Sequence, residues 1–102
     1  MKKSSVSTIK LSRLLTVFDE SGFAIANVMG SARMKGQIKP DKNEIYINKN
    51  LPVNERIQTF LHEVIHLYDE SLSEDETEEA TLQLFAKLSD AELGYIEFLL
   101  EE

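Results

Sequence analysis

Apolar residues recur at helical spacing through the middle of the chain, starting at a proline of the kind that often opens a helix. After Pro52, the positions that follow a period near 3.6 residues are Val53, Ile57, Leu61, Val64 and Tyr68. Such a stripe covers one face of a helix and packs against a core. The pattern therefore predicts a helix of about five turns.

Two further helices are predicted from their starting residues. Ser73-Glu74-Asp75-Glu76 has the spacing of a capping box, in which the serine and glutamate side chains bind each other's backbone N–H groups. Ser89-Asp90-Ala91-Glu92 repeats this spacing. We therefore expect one helix over residues 74–88 and a last helix after it.

Ahead of these helices, apolar and polar positions alternate on either side of a turn. Gly36–Lys39 and Glu44–Asn48 are the two arms, and their isoleucines can face one side. Between the arms, Pro40-Asp41-Lys42-Asn43 consists of residues that favour chain reversal. The segment is predicted to form a β-hairpin.

The first third of the chain has a weaker pattern. Apolar residues from Ile9 to Phe18 approximate helical spacing, although residues 6–11 could equally begin a strand. Residues 22–36 mix small residues with glycines and are expected to form a loop that leads into extended chain.

Together these elements predict an α+β fold. A small antiparallel sheet or hairpin would pack on the helix after Pro52, and two more helices would follow. Residues 1–102 are expected to form one domain.

Composition and charge narrow the classes of function. The chain has no cysteine, which excludes thiolate metal ligands and leaves His, Asp and Glu as metal donors. The formal net charge of −7 disfavours binding to nucleic acid, because such binding neutralises phosphates with basic residues. Since no apolar run is long enough for a bilayer span or a secretory signal, we expect a cytoplasmic location and no membrane partner.

The two histidines of the chain fall in one short motif, His62-Glu63-Val64-Ile65-His66. A separation of four residues places both imidazoles on one side of the predicted helix, one turn apart, where both can bind one Zn²⁺. On a helical wheel they lie off the apolar stripe, which disfavours an ordinary buried pair. Zinc held by two imidazoles and one further ligand keeps a position for water, on which Glu63 would act as general base.

The third zinc ligand is expected at the acidic start of the next helix, which an antiparallel connection brings opposite the histidines. Helical periodicity favours Glu78, because that residue flanks the apolar face of its helix. Glu79 and Glu76 are the alternatives, although the capping box engages Glu76. Asp69, one turn beyond His66, is either a partner that holds an imidazole in place or plain surface.

The surroundings of the motif carry a family resemblance. The octapeptide TFLHEVIH (residues 59–66) follows the strand EIYIN (44–48) and precedes EEA (78–80) and FA (85–86). Over residues 36–88 this order resembles the ImmA/IrrE-like zinc metallopeptidases and their small phage-encoded relatives. The resemblance implies a minimal zincin-like domain in which His62 and His66 bind zinc, Glu63 is the catalytic base and a glutamate of the next helix completes the site. Many members have glycine at the position of Ile65, and their glutamate signature aligns with Glu79.

The resemblance also implies a peptide or protein substrate, often a regulatory protein such as a repressor, that lies extended along an edge strand. Glu44–Asn48 is the candidate strand, and Tyr46 on it is either an oxyanion stabiliser or a packing aromatic. The leading hypothesis is a zinc-dependent metallopeptidase that hydrolyses peptide bonds. The alternative is a non-catalytic metal-binding or regulatory module that keeps the zincin core. An acidic module that mimics nucleic acid would explain the charge but not the histidine pair.

Overall fold

Four α-helices and a three-stranded sheet make up the part of the chain that the computed structural model describes, residues 9–29 and 35–101. In chain order the elements are α1 (Leu11–Ser21), β1 (Ala24–Val28), β2 (Gly36–Lys39), a 3₁₀ turn (Pro40–Lys42), β3 (Glu44–Asn48), α2 (Val53–Tyr68), α3 (Glu74–Lys87) and α4 (Asp90–Glu101). This combination of a small sheet with separate helices confirms the predicted α+β class. None of the helices in these two ranges is long and apolar enough to cross a bilayer.

Three helices begin where their sequence signals predict. α2 directly follows Pro52. α3 follows Ser73, whose hydroxyl accepts a hydrogen bond from the backbone N–H of Glu76 (3.1 Å), while the Glu76 carboxylate accepts one from the Ser73 N–H (2.9 Å). The equivalent pair of bonds joins Ser89 and Glu92 at the start of α4 (2.8 and 3.1 Å). Both predicted capping boxes are therefore confirmed.

The first third of the chain, for which the sequence allowed either a helix or a strand, contains a helix. α1 begins at Leu11, so the helical prediction is confirmed there, while residues 6–8 lie outside the described ranges. The helix ends at Gly22, which has a φ of 77° in the left-handed region. Glycine adopts this conformation without the steric penalty of a Cβ atom, so it is a favourable residue at the end of a helix.

The sheet is mixed, not antiparallel as expected. Its strand order is β1-β3-β2, and β3 pairs antiparallel with β2 and parallel with β1. The hairpin is confirmed, with Asn43 in the left-handed conformation (φ 53°) before β3. The loop prediction for residues 22–36 was wrong for β1, because a parallel pair has no adjacent turn to indicate it. In addition, Ala24, Ala26 and Asn27 have low β propensity.

The core is built around α2. The buried face of this helix consists of Ile57, Phe60, Leu61, Val64 and Ile65, each no more than 2 % exposed. The other large side chains of the core come from β3, α1, α3 and α4: Ile45, Ile47, Leu11, Leu14, Leu84, Ile96 and Leu100. Because α2 contacts the three other helices as well as β2 and β3, its orientation, and with it the placement of the histidine motif, is fixed by the core.

Candidate metal centre

His62 and His66 lie on the side of α2 that borders the core without joining it. Their side chains are 18 % and 25 % exposed, whereas those of Leu61, Val64 and Ile65 are fully buried. The two imidazole rings meet edge to face, with centroids 4.9 Å apart. The predicted placement off the apolar stripe is therefore confirmed, and both rings are close enough to bind a common partner.

Glu74, the first residue of α3, contacts both imidazoles. Its Oε1 lies 3.0 Å from Nε2 of His62 and its Oε2 lies 3.1 Å from Nε2 of His66. One donor atom from each of the three residues lies within 4.8 Å of the others, so this group could hold a metal ion. Tetrahedral zinc with ligands at 2.0–2.1 Å would separate the donor atoms by about 3.3 Å. The two contacts of Glu74 are made by different carboxylate oxygens, and each is slightly shorter than that separation.

The two contacts of the His62 ring support the same reading of the site. An ionised carboxylate only accepts hydrogen bonds, and a neutral imidazole donates from one nitrogen only. His62 faces a carboxylate at both nitrogens, Glu74 at Nε2 and Glu78 at Nδ1. A neutral ring donates to only one of these carboxylates, and its other nitrogen has a lone pair that could bind a metal ion. Two imidazoles and a carboxylate form a donor set that suits Zn²⁺.

The glutamates that the sequence proposed as third ligand occupy three different environments. Oε1 of Glu78 lies 3.0 Å from Nδ1 of His62, whereas Glu74 contacts the other ring nitrogen, Nε2. The carboxylate of Glu76 is bonded in the capping box, and that of Glu79 accepts a hydrogen bond from the side chain of Gln83 (3.3 Å). The structure thus brings Glu78 to His62, while the carboxylates of Glu76 and Glu79 bond other groups.

Sequence reasoning did not name Glu74. Its side chain is 75 % exposed and stands at the very start of α3, so periodicity relative to the core does not single it out. A usable signal was nevertheless present, because Glu74 and Glu78 have the same separation of four residues as His62 and His66. Equal spacing on two packed antiparallel helices allows facing pairs of side chains to meet.

Asp69 has a local structural role at the end of α2. Its Oδ1 accepts hydrogen bonds from the backbone N–H of Ser71 (3.0 Å) and from the Ser71 hydroxyl (2.6 Å). Asp69 also terminates the helix, with its own N–H donating to the carbonyl of Ile65 (2.9 Å). These bonds shape the short connection that turns the chain from α2 into α3.

A cleft of about 340 Å³ opens beside His62, between the start of β2 and the facing sides of α2 and α3. Its lining consists of Lys35, Gly36, Glu55, Gln58, Thr59, His62, Glu63, Glu74 and Glu78. Four of these residues carry carboxylates and one is a lysine, so the cleft is acidic. None of the described lining residues is a tyrosine. Tyr46 instead places its ring 5.7 Å from Nζ of Lys39, a packing environment on β3.

Glu63 is partly buried in this cleft, directly beside the histidine pair. Burial raises the pKa of the Glu63 carboxyl, and the positive charge that His62 and His66 can carry acts in the opposite direction. The cleft also brings β2 close, since a Cβ atom built on Gly36 would lie 3.6 Å from Oε2 of Glu63. A carboxyl group whose pKa is moved toward neutrality is better suited to exchange protons with a substrate.

Comparisons of the chain with protein-family models, with curated proteins and with solved structures give no match. The likeness to the ImmA/IrrE-like peptidases therefore stays a prediction. The chemistry of His62, Glu63, His66 and Glu74, together with the cleft beside them, is the basis for a function.

Proposed function

We propose that the protein is a zinc-dependent metallopeptidase that hydrolyses peptide bonds with Glu63 as general base. The observation that carries this proposal is the convergence of Nε2 of His62, Nε2 of His66 and the Glu74 carboxylate beside the cleft that Glu63 lines. A metal-binding group without an adjacent carboxylate would suit a purely structural site. The additional acid in the cleft favours a hydrolytic one.

The three donors suit a catalytic zinc site, in which a fourth coordination position is left for water or substrate. Catalytic zinc sites in proteins use three side-chain ligands, and two histidines with one glutamate form a set of this kind. When bound, Zn²⁺ would act as a Lewis acid that polarises the scissile carbonyl and lowers the pKa of a water molecule. His62, His66 and Glu74 would hold the ion at the edge of the cleft, where a substrate can reach it.

Glu63 would move the proton in the reaction. Its carboxylate would accept a proton from the attacking water and pass it to the nitrogen of the leaving amine. Burial raises the pKa of Glu63, so the protonated form needed for the second transfer is easier to reach than in an exposed carboxyl. General acid–base catalysis of this kind contributes about 10²–10⁴-fold to a rate.

The substrate would lie along β2. The prediction that Glu44–Asn48 is the edge strand was wrong, because this strand, β3, is central and is paired on both sides. β2 is at the edge of the sheet, and Lys35 and Gly36 at its start line the cleft. An extended peptide added to this edge would pass the metal-binding group, which supports an unfolded or flexible protein segment as substrate. A regulatory protein is one such substrate that the family resemblance implies.

A non-catalytic metal-binding module is the second candidate. It is favoured by one observation, that the described cleft lining contains no tyrosine and only Lys35 as a cation to stabilise an oxyanion. In this alternative the group of His62, His66 and Glu74 would hold zinc for a structural or regulatory purpose, and no peptide would be cleaved.

The decisive experiment compares zinc content and peptide hydrolysis in the wild type and in Glu63→Gln. Zinc-loaded wild-type protein is expected to contain about one zinc per chain and to cleave members of a quenched fluorescent peptide library. Glu63→Gln should keep the zinc and lose cleavage, while the control Glu79→Gln, on exposed surface of α3, should retain both. Zinc without cleavage in the wild type would support the non-catalytic module. A wild type that binds no zinc would contradict both candidates.

A further inference from the structure

The imidazole of His62 lies between two carboxylates of α3. Its Nε2 is 3.0 Å from Oε1 of Glu74, on the side of the metal-binding group, and its Nδ1 is 3.0 Å from Oε1 of Glu78. We propose that Glu78 is a positioning residue, which accepts a hydrogen bond from Nδ1–H of His62 and thereby directs the lone pair of Nε2 toward the metal. This role rests on the zinc site of the proposed function.

The proposal follows from the tautomers of histidine. A neutral imidazole carries one N–H, and the proton can be on either nitrogen. Only a nitrogen without a proton can bind a metal. With a metal ion on Nε2 the ring proton would be on Nδ1, where the ionised carboxylate of Glu78 can accept its hydrogen bond. A carboxylate in this position also fixes the rotation of the ring and increases the basicity of the ligand nitrogen.

The helical arrangement explains why two glutamates can reach one ring. Glu74 and Glu78 are four residues apart on α3 and therefore project from the same side of the helix, one turn apart. The capping box of Ser73 and Glu76 fixes the first turn of α3 and so the position of Glu74. Thr77, between the two glutamates, is fully buried against the core, which holds this turn of the helix in place.

Glu78 can be changed without disturbing the fold. Its side chain is 56 % exposed and makes no part of the core. We expect Glu78→Ala to lower zinc affinity about 10–100-fold, the range found when partners of metal-binding histidines are removed. Glu78→Gln keeps a carbonyl oxygen at the same reach, so it should recover part of this loss.

Glu79→Ala is the matched control. It removes a neighbouring carboxylate from the same turn of α3, but this carboxylate bonds Gln83 and not an imidazole. Zinc affinity should therefore equal that of the wild type. Glu78→Ala, Glu78→Gln and Glu79→Ala each remove one negative charge from α3. A difference in zinc affinity between them therefore reports the contact with His62 and not the net charge.

The experiment measures zinc affinity by competition with a chromogenic chelator for the wild type and for Glu78→Ala, Glu78→Gln, Glu79→Ala and Glu74→Ala. In parallel, NMR of ¹⁵N-labelled, zinc-loaded protein records the Nδ1–H of His62. We expect a slowly exchanging Nδ1–H signal in the wild type and in Glu78→Gln, and its loss in Glu78→Ala. Neither readout depends on peptide hydrolysis.

Three outcomes would contradict the proposal, and they can be told apart. Equal zinc affinity of Glu78→Ala and the wild type, or an unchanged Nδ1–H signal, would overturn the positioning role alone. Loss of all binding in Glu78→Ala with binding kept in Glu74→Ala would make Glu78 the third ligand. A wild type that binds no zinc would instead overturn the proposed function, and the role of Glu78 with it.

Discussion

Gly36 lies so close to Thr59 that no side chain fits between them. A Cβ atom added at Gly36 would overlap Cγ2 of Thr59, and it would lie 3.0 Å from the carbonyl oxygen of Tyr46. Gly36 begins β2, and Thr59 is on α2 one turn before Glu63. The contact therefore sets the distance between the edge strand and the helix that carries the motif.

Replacement of Gly36 by alanine is expected to destabilise the protein by about 1–3 kcal/mol, because the added methyl group forces β2 and α2 apart. Urea denaturation measures this loss. Thr59→Ser removes the opposing Cγ2 but keeps the hydrogen bond from Oγ1 to the carbonyl of Glu55 (2.8 Å). In the Thr59→Ser background, Gly36→Ala should cost less. An undiminished cost in that background would show that another contact is responsible.

Ser73→Ala is expected to weaken both the fold and the metal site. Loss of an N-cap hydroxyl costs about 1 kcal/mol, and Glu74 immediately follows this cap, so its position against the histidines should loosen. Ser89→Ala is the matched control, because it removes the same kind of hydroxyl from the capping box of α4. The two variants are expected to have similar melting temperatures. Zinc affinity should fall only in Ser73→Ala. Equal zinc affinities of the two variants would show that the N-cap of α3 does not affect zinc binding.

Zinc should stabilise the folded protein through His66 and Glu74. At a zinc concentration of a hundred times Kd, binding to the native state adds about 2.7 kcal/mol, which for a domain of this size corresponds to a rise in melting temperature of roughly 10–20 °C. Differential scanning fluorimetry with and without a chelator measures this rise. His66→Ala and Glu74→Ala should each abolish it.

Asp75→Ala provides the comparison for Glu74→Ala. Asp75 is the next residue in the first turn of α3 and is exposed, so its removal has the same effect on charge near the helix N-terminus. The zinc-dependent rise should remain in this variant. If it disappeared there as well, the effect of Glu74→Ala would reflect the helix end and not coordination of zinc.

Ile65→Ala should be strongly destabilising although it lies within the motif. The two positions between Glu63 and His66 have no part in the zinc chemistry, but Ile65 is fully buried. Truncation of a buried isoleucine costs about 2–5 kcal/mol. Urea denaturation should show a cost well above that of Leu67→Ala, where the side chain is only partly buried. Similar costs at both positions would contradict this assignment of the core.

Local signals account for the elements that the sequence predicted. The hairpin is indicated by alternation on either side of Pro40-Asp41-Lys42-Asn43, and α3 and α4 by their capping residues. These signals lie within a few residues of the structures they determine. β1 has no such signal, since its register is set by parallel pairing with β3 and not by an adjacent turn.

Only part of the candidate site could be predicted from local signals in the sequence. His62, Glu63 and His66 belong to one helix, so their relative placement follows from its geometry. The third carboxylate depends on how α3 packs against α2, which a periodic pattern does not determine. Periodicity relative to the core pointed to Glu78, whereas the packed helices place Glu74 across both imidazoles and Glu78 on the far nitrogen of His62.

The residues of the candidate site are close together in the chain as well as in space. His62 is separated from Glu74 by 12 positions and from Glu78 by 16. Closing so short a loop has a small entropic cost, so α2 and α3 can meet early in folding. A metal ion bound by His62, His66 and Glu74 would therefore link two helices that are neighbours in the chain. Because the loop that it closes is short, such a link would constrain the unfolded chain only a little, and its contribution to stability would come from binding to the folded protein.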